Sequence, residues 1–599
     1  VTARFVVSLD LERGVLHGAD SGASAQGCVA VSRGYIANAD AIDAEARGRG
    51  CAPPRGDDER FALAYRWWGL GLQAKVLGEY AVAVFDQRER RLLVTRDAIG
   101  IVPVFVAETR GALVAGSHLA DVLRVVGDAP LDEEYVADLF ALARPVGART
   151  PYRGIRRLGP GLSLEWYDGR AREHRTWSLA DTPRLRLAND AEYEERMREL
   201  LADGVRAALR ADGPVWCELS GGLDSSTVAS VAAAACGRTL PALSVVYERS
   251  RSADERRWMR PVLERYGLPW HPVDGDTPPP FTELPPAFAE PNDTMTAWGV
   301  HGRCVDLIER NGVAVVLTGH GGDLVFGGDA QNAHHLAEPL ARFDLAGLVR
   351  GVADWQRRDP LKRSALHYAR ANVGAPWLRM LRGRTVLDDG TPDYGVARWI
   401  DGRYARTMRL ARRQQRRYAQ RADTPYRQYF VEALAMTGES AGMARDVGDE
   451  SFAYRSPLLY RPLVEFFFAI PPEQRVQPDR GRVLQRRALA GILPDAVRNR
   501  GSKRGGQEAY FEGLRTSTTW LPMLREPSVL AQRGYVDAAR WREAVERARF
   551  GRATTMHQFI TTATLECWFR QRDGATPAPN TTPSKGAWTN ERHQPVFQP

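Results

Sequence analysis

Cysteine is scarce in this sequence: six residues among 599 (Cys28, Cys51, Cys217, Cys236, Cys304 and Cys567), none spaced from another as zinc ligands are. That excludes a disulfide framework and a zinc-ribbon architecture, and reduced core or surface thiols are the expectation. Long apolar runs are missing too, since no stretch reaches the ~18 residues of a membrane span. The opening VTARFVVSLDLERG has too short an apolar stretch and no small-residue cleavage site to read as a signal peptide. A cytoplasmic protein with no membrane span is expected. No internal repeat and no recognisable RNA-binding module is present, so the net charge of +9 and pI of about 9.3 read as an arginine-rich composition, with no nucleic acid expected. Acidic residues are nearly absent between Arg398 and Arg421, where Arg403, Arg406, Arg409, Arg412, Arg413, Arg416 and Arg417 also fall. That stretch is either a solvated helix face or a docking surface for an acidic peptide or RNA.

What is present is enough for two large domains, with 44% apolar and 26% charged residues. Residues 1–180 carry short apolar runs such as YAVAVFD, RLLVTRD and VPVFVA, broken by Gly, Asp and Arg, and read as a mainly β domain. From about 190 the pattern changes to strand and helix in alternation: VWCEL, a glycine turn and SSTVASVAAAAC, then PALSVVYE and ADERRWMRPVLERYG, then VAVVLTGHGGD. Alternation of this kind predicts a parallel, doubly wound sheet. Beyond 330 the chain reads as mostly helical to about 572, with a helical insertion at about 330–430 and a polar, Pro-rich, disordered tail over 573–599.

The chemistry is concentrated where VWCEL ends. Ser220, Gly221, Gly222, Leu223, Asp224, Ser225 and Ser226 follow it and open a helix. Two glycines let the backbone approach an anion, successive N–H groups point at it, and the helix adds its positive end: a pyrophosphate cradle. The hydroxyls of Ser220, Ser225 and Ser226 can donate to phosphate, and Asp224 can supply an oxygen ligand to Mg²⁺.

The string SGGLDSS resembles the PP-loop of the ATP pyrophosphatases, in the spelling of asparagine synthetases, β-lactam synthetases and lasso-peptide cyclases. The resemblance implies cleavage of ATP to AMP and pyrophosphate through an acyl-adenylate that an amine attacks. The string from Thr318 to Gly328, TGHGGDLVFGG, is similar to the family's second signature and makes Asp323 the other metal ligand. RSPLL at Arg455–Leu459 resembles another family segment, and GRVLQRRALAGILPDAVRNRGSK places Lys503 at the family's catalytic lysine. By the same resemblance Leu219, Thr318 and Gly319 join the loop around ATP, and Ser244, Val245 and Val246 hold the adenine; Asp254 and Glu255 open the next helix. The first domain is similar to the glutamine amidotransferase domain, an N-terminal-nucleophile sandwich, so the likeness runs over residues 60–570. Glutaminases of that fold use a cysteine whose own α-amine assists the thiolate. Val1, Thr2, Ala3 and Arg4 offer none and Cys28 and Cys51 are internal, so a degenerate domain without glutaminase activity is expected.

His320 stands where asparagine synthetases have Glu and β-lactam synthetases have the Tyr of a proton-accepting dyad. A histidine there either takes a proton from an incoming amine or only hydrogen-bonds the loop or the α-phosphate. Glu439 is either the dyad's acidic partner or a helix-surface carboxylate. Together with the insertion, these features make the chain most similar to the lasso-peptide cyclases. That likeness implies a precursor peptide substrate, activation of an Asp or Glu side chain, closure by the peptide's own N-terminal amine, and a leader peptidase and leader-binding element as partners. A β-lactam synthetase, another small-molecule amide ligase or an ammonia-dependent asparagine synthetase shares nearly all of these motifs; an inactive or RNA-binding scaffold does not need them.

Overall fold

The computed structural model describes residues 4–18, 22–141, 148–327, 333–358, 363–386, 395–413, 420–445, 451–478, 480–501, 507–526, 528–552 and 556–574, without the side chains of 293, 333, 439–445 and 507. Lys503 and the tail from 575 lie outside the described residues.

The first domain is an antiparallel sandwich. Its strands are β1 Val6–Asp10, β2 Val15–His17, β3 Ala23–Ala25, β4 Cys28–Ile36, β5 Gly78–Asp86, β6 Arg91–Arg96, β7 Phe105–Glu108, β8 Ala112–Gly116, β9 Ile155–Arg157, β10 Leu162–Tyr167 and β11 Arg170–Arg175. They form one sheet in the order β2-β1-β8-β7-β9 and a second in the order β11-β10-β6-β5-β4-β3. The period of two in β5 shows how both faces are buried: Ala81, Ala83 and Phe85 point into the core between the sheets. Tyr80, Val82 and Val84 point outward under the helices Ala39–Gly48 and Asp57–Trp68. A third apolar layer packs the helix Leu119–Val126 on the other sheet.

The second domain is built on β12 Val215–Glu218, β13 Ala242–Val246, β14 Trp270–Asp274, β15 Val315–Leu317 and β16 Ala453–Arg455, all parallel, in the order β14-β13-β12-β15-β16. Odd residues of β12 (Val215, Cys217) face the helices Asp190–Ala208 and Leu223–Ala234, while Trp216 faces the helix Trp298–Arg310. The order reverses between β12 and β15, so their carboxyl ends splay a crevice at the topological switch point. The expected two-domain α/β architecture is observed, with two strands that the sequence reading left out. β16, three residues in a region read as helical, lies at one edge of the sheet, and β14 follows the helix read over ADERRWMRPVLERYG, where no strand had been read.

Helices Leu345–Arg358, Ala365–Tyr368, Ala375–Leu381, Gly402–Thr407 and Leu410–Arg413 occupy the stretch read as an insertion. Among the described residues the arginine run is not one continuous helix face: two short helices carry Arg403, Arg406, Arg412 and Arg413, and half-buried Arg413 packs against the first domain, pairing with Glu134 and Asp138. All six cysteines are unpaired. Among the described residues no helix is long and apolar enough to cross a membrane.

The two domains are joined by buried polar contacts. Arg157 of β9 forms a two-oxygen pair with Glu290 at 2.8 and 2.9 Å, both side chains about 5–6% exposed. Ser456 N–H donates to Glu79 at 2.8 Å, and Arg461 donates to the carbonyls of Gln73 and Ala74.

Candidate active site

The loop that follows β12 is held from both sides. Leu219 N–H donates to Leu243 O at 2.8 Å, and the Ser244 hydroxyl returns a bond to Leu219 O at 2.6 Å. Ser244 therefore fastens the loop to β13; Val245 is half-buried beside it, and Val246 joins the core. Within the loop the hydroxyls of Ser220 and Ser225 lie 3.1 Å apart, and Ser220 N–H donates to Ser225 Oγ at 3.1 Å. The Ser226 hydroxyl is buried with no hydrogen-bond partner among the described residues.

Glycine is required at two places. Gly221 has φ +70°, the left-handed region that a side chain disfavours, and a Cβ there would sit 2.9 Å from that of Trp258. At Gly319 a Cβ would lie 2.5 Å from the backbone nitrogen of Ser225, so the two glycine-rich loops meet backbone to backbone. Thr318 N–H is fixed by Arg455 O at 2.9 Å, and its hydroxyl lies 3.4 Å from Ser456 Oγ. The segment RSPLL thus shapes the second loop from the next strand.

Asp224 and Asp323, one from each loop, converge on a single guanidinium. Arg482 donates to Asp224 Oδ1 at 2.7 Å and to Asp323. Burial pushes the Asp224 carboxyl up to about 6, against the opposing pull of Arg482, and nearby Asp323 raises it further. Two carboxylates held together and drawing on one counter-cation fit a divalent metal that takes its remaining ligands from phosphate. Among the described residues no cluster of three or more metal-ligating side chains occurs. The glycine-lined cradle and the buried Ser226 hydroxyl likewise fit a polyphosphate.

His320 N–H donates to Thr318 Oγ1 at 3.2 Å, and its Nε2 lies 3.1 Å from the carbonyl of Thr437. Donation by Nε2–H leaves Nδ1 as the basic nitrogen of the neutral ring. Thr437 belongs to the helix Pro425–Arg445, two residues before Glu439, whose side chain lies outside the described residues. The neighbouring Gly438 packs on the carbonyl of Ile99 in the first domain. The helix that fixes His320 therefore rests on that domain.

Several residues escaped the sequence reading. Arg482 and Gln485, which donates to Asp224 at 3.4 Å and Thr227 at 3.1 Å, lie in the segment where only Lys503 had been singled out. Arg500 donates to Gly221 O at 2.9 Å and pairs with Glu255, which is buried against it and not merely a helix-opening acid. Glu218 ends β12 on the face toward Cys304 and Tyr454, and burial pushes its carboxyl up to about 7. An acid closing the otherwise apolar run VWC just before a glycine loop was the available signal.

Because the folded pKa of Glu218 lies above the unfolded value, its contribution to stability is fully present below about pH 4.5 and lost as pH rises through about 7. Glu218→Gln is expected to be more stable than the natural chain by on the order of 2 kcal/mol at pH 8 and nearly equal to it at pH 4.5. Urea unfolding at both pH values checks this, and a pH-independent difference would refute it.

A parallel sheet whose switch point holds a glycine cradle facing a convergent aspartate pair has the architecture of an α/β protein with an anion-binding crevice. Comparison with known proteins is specific: residues 196–570 match the asparagine synthase family and residues 23–177 the glutamine amidotransferase domain. The chain belongs to the asparagine synthase family, with an N-terminal amidotransferase domain. It is 24% identical over 526 residues to the glutamine-hydrolyzing asparagine synthetase 3 of Bacillus subtilis (strain 168), covering 83% of this chain and 78% of that one. It is 23% identical over 471 residues to asparagine synthetase 1 of the same organism, covering 74% and 70%. It is 27% identical over 303 residues to the amidase chyE of Penicillium rubens, covering 47% and 44%. ATP-dependent amide-bond formation of the asparagine synthetase type follows from membership.

Proposed function

We propose that this chain is a lasso-peptide-type macrolactam synthetase of the cytoplasm. It adenylates an Asp or Glu side chain of a ribosomal precursor peptide and lets the peptide's N-terminal amine close the ring. The carboxylate oxygen attacks the α-phosphorus of ATP and pyrophosphate leaves. The amine then attacks the acyl carbon, AMP leaves, and the amine proton is taken by a base. The observation that carries this reading is the setting of His320, whose Nε2 lies 3.1 Å from the carbonyl of Thr437; at the position where the resemblance has the nucleophile received, its imidazole would be the base that takes that proton. The loops around Ser220–Ser226 and Thr318–Gly319 hold the polyphosphate. Mg²⁺ on Asp224 and Asp323 would offset its charge, and Lys503 would stabilise the α-phosphate as AMP departs. The helical stretch at 330–430 would hold the folded peptide, so that amine and acyl group meet at low entropic cost. A leader peptidase and a leader-binding element are the proposed partners.

In this reading the first domain is a scaffold without glutaminase activity. Its Cys28 is fully buried on β4, and burial and Asp86 push the thiol up to about 11, far from a reactive thiolate. The contact of Gly438 with Ile99 gives the domain a positioning role. A second reading, a small-molecule amide ligase making asparagine or a β-lactam, draws on the asparagine synthetases among the relatives.

His320→Ala is expected to slow ring closure about a hundredfold while peptide-dependent ATP–pyrophosphate exchange changes little. Equal loss in the two assays would give His320 a loop-supporting or phosphate-binding role instead.

A further inference from the structure

Arg482 lies between the two glycine-rich loops, bonded to Asp224 and to Asp323. Its backbone has φ +60° and ψ +41°, a left-handed conformation that a non-glycine residue adopts only under constraint. Its N–H is pinned to Gly327 O at 3.1 Å, at the start of the short helix Val483–Ala488. That conformation turns the side chain, 12% exposed, between the two loops and onto both aspartates. Gln485 donates to the same Asp224 oxygen from one turn further on, so Asp224 keeps a partner if the guanidinium leaves.

Burial, with repulsion from Arg480, Arg482 and Arg498, holds Arg486 down to about 10. Arg480, Arg486 and Arg498 thus gather around Arg482, and among the described residues the carboxylates that bond it are Asp224 and Asp323. A divalent cation arriving alone would have to displace the guanidinium from both carboxylates and brings no anion in exchange. A cation arriving with a polyphosphate brings the anion that the guanidinium needs.

We propose that Arg482 is an exchange cation. In the nucleotide-free enzyme it occupies the bond directions of Asp224 and Asp323 that a divalent metal requires, and as polyphosphate enters it releases both carboxylates and binds the β- and γ-phosphate oxygens. The inference rests on the nucleotide reading of this site. Its consequence is that metal binding is contingent on nucleotide, which keeps the empty site from filling with free metal.

The test is Mn²⁺ binding followed by electron paramagnetic resonance, with the full chain and no nucleotide. The natural chain is expected to bind Mn²⁺ weakly, Arg482→Gln at least about tenfold more tightly, and the double variant Arg482→Gln/Asp224→Asn to lose that gain. Inorganic pyrophosphate with Mg²⁺, followed by calorimetry, should bind Arg482→Gln about tenfold more weakly than the natural chain. Unchanged Mn²⁺ affinity in Arg482→Gln, or unchanged pyrophosphate affinity, overturns the proposal. Should that variant fail to fold, Arg482→Lys, which can bond one carboxylate at a time, carries the same test with shifts of about threefold. If the natural chain binds neither ATP nor pyrophosphate, the nucleotide reading fails, and the nucleotide-free Mn²⁺ comparison still decides whether Arg482 shields the pair.

Discussion

Asp224→Asn is expected to abolish pyrophosphate release, lowering it about a thousandfold or more, which corresponds to about 4 kcal/mol of lost transition-state stabilisation. The substitution keeps the size of the side chain and removes its charge. Size matters here, because Gly322 lies directly against the Asp224 carboxyl and leaves no room for a longer residue. The asparagine can still accept from Gln485 and Arg482, so the loop should keep its shape while the metal loses a charged ligand. Asp323, 82% exposed on the other loop, cannot hold a divalent ion alone against water. Circular dichroism and a melting curve close to those of the natural chain, with product below detection, would meet the expectation. Turnover within tenfold of the natural chain would remove Asp224 from the metal assignment.

Glu290→Ala is expected to destabilise the protein by about 3–5 kcal/mol, because it removes the carboxylate from a buried ion pair. Arg157 leaves β9 to meet both oxygens of Glu290, stacks 5.2 Å from the Phe105 ring, and is nearly inaccessible to water. The Tyr135 hydroxyl also donates to Glu290, at 3.4 Å, so truncation breaks a network spanning both domains. Replacing both partners with apolar residues, as in Arg157→Met with Glu290→Leu, should recover most of the loss, since the penalty lies in keeping one buried charge without the carboxylate that balances it. Urea unfolding followed by far-ultraviolet dichroism measures both variants. An alanine variant as stable as the natural chain would mean that water reaches the pair.

The part of this molecule legible in its sequence is the part governed by short-range rules. Short apolar runs broken by Gly, Asp and Arg forecast the strands of the first domain, because a strand such as β5 buries both of its faces, and a glycine pair followed by serines forecast the strand–loop–helix turn, because only glycine fits at Gly221 and Gly319. β16 was not legible: three residues paired to β15 from more than 130 positions away carry no local period, and their neighbours on both sides are helical or irregular. Arg482 was hidden for a related reason. One arginine among many in a basic chain looks like any other, and only its left-handed backbone and the meeting of two distant loops bring it to both aspartates. Glu255 read as a helix opener because its partner, Arg500, lies 245 residues further along the chain. Long-range charge pairing and edge-strand addition are decided by tertiary packing, which composition and spacing do not encode.

The most direct test of the central claim is mass analysis of a candidate precursor core peptide incubated with the purified chain, ATP and Mg²⁺, beside a control with aspartate and ammonia. The account predicts ATP-dependent loss of one water from the peptide, with AMP and pyrophosphate formed in equal amounts. Asparagine from the control with the peptide unchanged, or ADP in place of AMP, would contradict it.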